Sequence, residues 1–120
     1  MKTILVADDE RMLRRALFRV LTRAGYSVLL AEDGGQAVEV FRENAAAIDL
    51  VVLDMNMPVL DGPGAFAGIR GLDPSVRIVM ATGESASDVR ASFDQEQPLG
   101  ILQKPFSLAG LVRQVEAFLS

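Results

Sequence analysis

Five short apolar runs recur along this chain with helix-length stretches between them, and that alternation constrains the fold more than any other feature. The runs are KTILVA (2–7), SVLLAE (27–32), DLVVLD (49–54), VRIVMA (76–81) and LGILQ (99–103). The middle runs are continuously apolar and rich in Val, Ile and Leu rather than alternating apolar with polar. Strands read that way when both faces of their sheet are covered, as in a parallel sheet. Strand–helix alternation therefore predicts right-handed βαβ units and a doubly wound α/β domain. A length of 120 residues suits one such domain, and a half-hydrophobic composition suffices for a continuous core.

The intervening stretches show helical periodicity. Leu13, Leu17, Val20, Leu21 and Ala24 make one apolar stripe, Arg11, Arg15, Arg19 and Arg23 occupy the opposite side, and Gly25 follows as a helix stop. A solvated face is the ordinary reading of such arginines, and a docking surface for a partner is the sharper one. Leu108, Leu111, Val112, Val115 and Phe118 or Leu119 mark a last amphipathic helix, with Ser107 as its N-cap after Pro105. No repeat, low-complexity tract or linker interrupts the chain, so residues 1–120 read as a single domain. No apolar run approaches the roughly 18 residues that span a bilayer, and Met1-Lys2-Thr3 does not open a signal peptide. A cytoplasmic protein without a membrane partner is expected.

Composition narrows the chemistry. Cysteine and histidine are both absent, which removes disulfides, thiolate and imidazole catalysis, most zinc sites and any phosphohistidine on this chain. A net charge of -4 argues against nucleic acid as a partner. Carboxylates, Lys, Ser, Thr and one Tyr remain, and such oxygen-rich groups suit a hard cation such as Mg²⁺.

Those groups collect where a doubly wound sheet carries its chemistry, outside the carboxyl ends of the strands. Asp8 and Asp9 end the first run, Asp54 the third, Thr82 the fourth and Lys104 the fifth. Each alone is an ordinary turn or surface residue. If these four strands lie adjacent, three carboxylates, a hydroxyl and an ammonium share one cleft. Adjacent carboxylates repel, and partial burial pushes at least one pKa upward unless a cation stands nearby.

In order and spacing, ADDE (7–10), LDMNMPVLDG (53–62), MATG (80–83) and LQKPF (102–106) resemble the signatures of response-regulator receiver domains of two-component signalling. The resemblance covers essentially the whole chain. It implies a flavodoxin-like (βα)₅ fold with strand order 2-1-3-4-5. It implies that Asp54 is the phosphoacceptor, charged by a histidine kinase or histidine phosphotransfer domain and discharged by Mg²⁺-dependent hydrolysis. Asp9 would bind Mg²⁺ directly and Asp8 largely through water, with Asp54 and the backbone carbonyl of Asn56 completing the set. Thr82 and Lys104 would contact phosphoryl oxygens. The Lys104–Pro105 bond matches a cis position of the family, although X–Pro bonds are trans by default. Asn56 and Glu84 stand where the family modulates attack by water. That pair is similar to the one in the fast-cycling chemotaxis regulator, so rapid turnover is expected. An effector or a second copy would meet the helix 4–strand 5–helix 5 face. Such a domain catalyses its own modification and is a switch rather than a metabolic enzyme.

The chain departs from the family at the middle of the fifth run, where Ile101 replaces the usual aromatic residue. Isoleucine has a stiff χ1 and no polar tip, so the aromatic half of the family's switch is missing while Thr82 can still move. Pro98 is expected to end the fourth helix early. RIVMATGE (77–84) and LQKPFSLAGLVRQVEAFL (102–119) resemble the C-terminal receivers of hybrid sensor histidine kinases, whereas a start at Met1 favours a stand-alone or N-terminal domain. Three other readings compete. One is a phosphorylation-independent adaptor working through the last helix. Another is a dinucleotide site at Gly62, Gly64 and Gly68, which lie too far from a strand end for that fingerprint. The third is a haloacid-dehalogenase-type phosphatase, which needs an aspartate two past the nucleophile, where this chain has Asn56.

Overall fold

A computed structural model describes residues 1–120. Strands β1 (Thr3–Ala7), β2 (Ser27–Ala31), β3 (Ile48–Asp54), β4 (Arg77–Thr82) and β5 (Gly100–Gln103) alternate with five helices. These are α1 (Arg11–Arg23), α2 (Gly34–Asn44), α3 (Gly62–Leu72), α4 (Ala86–Ala91) and α5 (Leu108–Leu119). The strands form one parallel sheet in the order β2-β1-β3-β4-β5, as expected. Strand bounds differ by a residue from the apolar runs, and Thr82 lies within β4 rather than just past it.

The continuously apolar strands feed two cores. Leu5, Ala7, Val51, Leu53, Ile78 and Met80 pack beneath α2, α3 and α4 with Phe41, Phe66 and Phe93. Ile4, Val6, Leu50, Val52, Val79, Ala81 and Leu102 pack beneath α1 and α5 with Leu17, Leu21, Leu111 and Val115. Successive strand residues thus serve opposite faces. Each fully buried aliphatic side chain contributes about 1.5–3 kcal/mol.

Short polar side chains begin four of the helices. Asp33, Asp61, Ser85 and Ser107 accept from the N–H groups of Gln36, Gly64, Asp88 and Gly110. Gly25 ends α1 with φ +100°, and Ala24, counted in the apolar stripe, is an exposed C-cap instead. The glycines of the rejected dinucleotide reading are packing residues. A side chain on Gly62 would lie 2.6 Å from the Asp54 carbonyl, and one on Gly68 would press into Val38 of α2.

Pro98 does not end α4. The helix stops at Ala91, well before the proline, where Phe93 leaves the helical path to pack edge-on against Phe66 at 4.9 Å. The Gln97 amide then donates to the carbonyls of Arg90, Phe93 and Asp94. Across the same corner Arg70 lies over the Phe66 ring. Its Nε is 2.5 Å from Glu96, close but not aligned as a hydrogen bond.

Candidate functional site

Because β1 and β3 are neighbours at the centre of the sheet, their ends bring Asp8, Asp9 and Asp54 together. Carboxylate oxygens of the three lie within 4.8 Å of one another. Asp8 and Asp54 are buried and Asp9 is exposed, so the cluster opens to solvent through Asp9. Asp8 is closely held: Oδ1 accepts the Glu10 N–H at 2.8 Å and Oδ2 accepts from Lys104 Nζ at 3.0 Å. The same ammonium lies 3.5 Å from Asp54 Oδ1, which also receives a long bond from the Asn56 N–H. Lys104 arrives from the end of β5, its main-chain N–H donating to Thr82 O at 2.7 Å. The Lys104–Pro105 bond is cis.

Electrostatics follow from three carboxylates facing one ammonium. Burial pushes the Asp54 pKa above the ordinary carboxylate value and the Asp8 charge adds to it, while Lys104 only partly opposes them. Burial works against the charged form of Lys104, but its hydrogen bond to Asp8 and the Asp8 and Asp54 charges outweigh it and raise its pKa. The cluster is short of positive charge, and its donors are all hard oxygens. Such a set fits a divalent cation.

Thr82 stands at the rim, 2 % exposed, its Oγ1 accepting the Glu84 N–H at 3.0 Å. Glu84 precedes the Ser85 N-cap and so lies in the β4–α4 turn, not in the first helical turn. Asn56 is exposed in the β3–α3 loop. Ile101 is half-buried against the α2–α3–α4 core. The arginines 11, 15, 19 and 23 are all exposed.

Two residues beside the site escaped the sequence reading. Gln103 Nε2 donates to the carbonyls of Thr82 and Glu84 at 3.2 and 2.8 Å, tying β5 to the β4–α4 turn. Arg14 is buried and its Nη1 donates to the Asp8 carbonyl at 2.7 Å. Spacing was a signal for Arg14: it lies three before Leu17 and seven before Leu21, on the buried face of α1.

A family profile described as "Response regulator receiver domain" matches residues 4–116. The chain belongs to that family. It is 34% identical over 119 residues to the response regulator receiver protein CpdR of Brucella abortus, covering 99% of this chain and 98% of CpdR. It is 32% identical over 117 residues to the sensor kinase CckA of the same organism, covering 98% of this chain but only 12% of that protein. Other curated relatives that it matches are about twice its length, the chain spanning 49% of them. Among solved structures, the chemotaxis protein CheY4 of Vibrio cholerae superposes with a TM-score of 0.91 at 28% identity, over 99% of both chains. As a receiver domain the chain acts in two-component signalling. No helix in it is long and apolar enough to cross a membrane.

Proposed function

We propose that this receiver, a single domain over residues 1–120, takes a phosphoryl group from a phosphohistidine onto Asp54 and releases it by hydrolysis. The observation that carries the reading is the convergence of Asp8, Asp9 and Asp54 with Lys104 at the carboxyl edge of the sheet. In the transfer, an Asp54 oxygen bonds to phosphorus in line with the departing imidazole nitrogen, whose bond to phosphorus breaks as the ring takes up a proton. Lys104 and the Thr82 hydroxyl meet the charge on the phosphoryl oxygens, so the protein supplies mainly position and charge. Asp8, Asp9, Asp54 and the Asn56 carbonyl would hold Mg²⁺, which offsets the repulsion between a carboxylate nucleophile and an anionic donor. Asn56 and Glu84 flank the path by which water reaches the aspartyl phosphate, and rapid turnover is the reading of that pair. A cytoplasmic location agrees with a donor on a kinase's soluble domain.

The cation site is tested by following amide shifts during Mg²⁺ titration of the protein. Shifts concentrated at residues 8–10, 54–57 and 104, lost in Asp9→Asn, are expected. No localised shift in the wild type would refute it.

The donor would dock on α1, where Arg15, Phe18, Arg19, Thr22 and Arg23 line a groove of about 440 Å³ against Leu30. Arg15→Glu with Arg19→Glu should slow transfer from a protein donor and spare acetyl phosphate. Rates unchanged from the wild type by both routes would leave the arginines merely solvated. An effector or second copy would meet the α4–β5–α5 face, where Leu99 is 53 % exposed. Phosphorylation should then change association measured by sedimentation, and no change up to high concentration would remove that surface.

A further inference from the structure

Arg14 is the one buried arginine of α1: the residue is 9 % exposed, whereas Arg11, Arg15, Arg19 and Arg23 face solvent. A guanidinium keeps its charge in a protein, so burying it is costly unless strong acceptors meet it. Nη1 donates to the main-chain carbonyl of Asp8 at 2.7 Å, and Nη2 lies 3.5 Å from Oε1 of Glu32. The Glu32 side chain is 69 % exposed, so that ion pair is screened by water and contributes little. The Asp8 carbonyl is the partner that matters.

That carbonyl needs a donor. The Asp8 N–H makes the last β1–β2 ladder bond, to Ala31 O at 3.2 Å, and the chain then leaves the sheet. No main-chain N–H reaches the Asp8 carbonyl. With Arg14 in place, Asp8 is held at four points: its N–H by Ala31, its carbonyl by Arg14, Oδ1 by Glu10 and Oδ2 by Lys104. The carbonyl is half of the planar peptide unit that continues into Asp9. Fixing it therefore fixes the direction in which Asp9 leaves β1.

We propose that Arg14 is a positioning residue for the acid cluster, its guanidinium setting the Asp8–Asp9 peptide plane and so aiming the exposed Asp9 carboxylate at Asp8 and Asp54. The role rests on the reading of that cluster as a divalent-cation site. Groups that orient metal ligands without touching the ion typically change affinity by roughly 10- to 100-fold. A residue that merely fills space between α1 and the sheet would move stability and leave affinity alone.

The test is Mg²⁺ affinity, from amide-shift titration, of wild type, Arg14→Met, Arg14→Lys and, at an exposed arginine of α2, Arg42→Met, with urea melts of each taken without Mg²⁺. Methionine keeps an unbranched stem and removes both donors. Arg14→Met is expected to weaken affinity by roughly 10- to 100-fold, Arg14→Lys to recover part of the loss through its charge and single donor group, and Arg42→Met to match the wild type. Arg14→Met binding within about twofold of the wild type, whatever its stability, would overturn the proposal, since an orienting group should cost far more. If Arg14→Met does not fold, Arg14→Lys decides: weakened affinity at near-native stability supports the role, and unchanged affinity overturns it. A wild type that binds no Mg²⁺ would overturn the cation-site reading itself, a result distinct from equal binding by wild type and variant.

Discussion

At the centre of the sheet, the carboxylates of β1 and β3 are placed by strand ends with buried cores on both sides, and Asp8 is bonded at each polar atom. Along the α4–β5 side, a six-residue helix and a four-residue strand are joined through side-chain amides, Gln97 to three carbonyls and Gln103 to two. The first region is fixed by ladder bonds and packing. The second combines the packing of Val89 and Phe93 and the β4–β5 ladder with exposed and part-buried side-chain hydrogen bonds, each worth about 1 kcal/mol, that can be exchanged for water. The difference sets the acid cluster at the centre of the sheet, between two cores, and gives the α4–β5 side bonds that water can replace. Ile101 fits that division: it packs into the core in place of the family's aromatic, while Gln103 links β5 to the end of β4 at Thr82 and to the turn that follows.

The contrast is broken most severely by removing the ammonium shared by Asp8 and Asp54. Lys104→Met is expected to slow phosphoryl transfer from acetyl phosphate by roughly 100-fold, as loss of a charge-stabilising donor does. Hydrogen exchange in α4 should stay as in the wild type. A loss of rate below about threefold would mean that Lys104 only pairs with Asp8 and gives no such stabilisation.

Phe93→Ala attacks the other region. Phe93 is buried against Phe66, and truncation should cost about 3 kcal/mol in urea unfolding. The rate of transfer from acetyl phosphate should hold, because no atom of Phe93 belongs to the acid cluster. A fall in rate matching that of Lys104→Met would show that the two regions are not separable.

The smallest effect sharpens the acid end itself. A carboxylate whose folded pKa is raised contributes most to stability below its unfolded value of 3.8, and that contribution is lost as pH rises through the folded pKa. Without metal, Asp54→Asn removes this penalty. The variant should therefore gain on the wild type between pH 4 and 7, by a margin that is flat below pH 3.8. Urea melts at pH 3.5 and pH 7 check this, and an advantage that shrinks with rising pH would reverse the sign.

The same contrast explains what was legible in the sequence. The apolar runs gave away a parallel sheet and put Asp8, Asp9, Asp54, Thr82 and Lys104 at strand ends, while the strand order that brings those ends together came from the resemblance to receiver domains. Arg14 was missed because counting apolar positions passes over a charge on the buried face. Gln97 and Gln103 were missed because their acceptors are main-chain carbonyls brought near only by the tertiary fold. The length of α4 was misattributed to Pro98 because the cause, Phe93 meeting Phe66, is a contact between distant residues.

The central claim is tested most directly by intact-protein mass spectrometry after incubation with acetyl phosphate and Mg²⁺, on wild type and Asp54→Asn. A single phosphoryl adduct on the wild type, absent from Asp54→Asn and abolished by EDTA, is the result predicted. An adduct that persists on Asp54→Asn, or that forms equally well in EDTA, would contradict it.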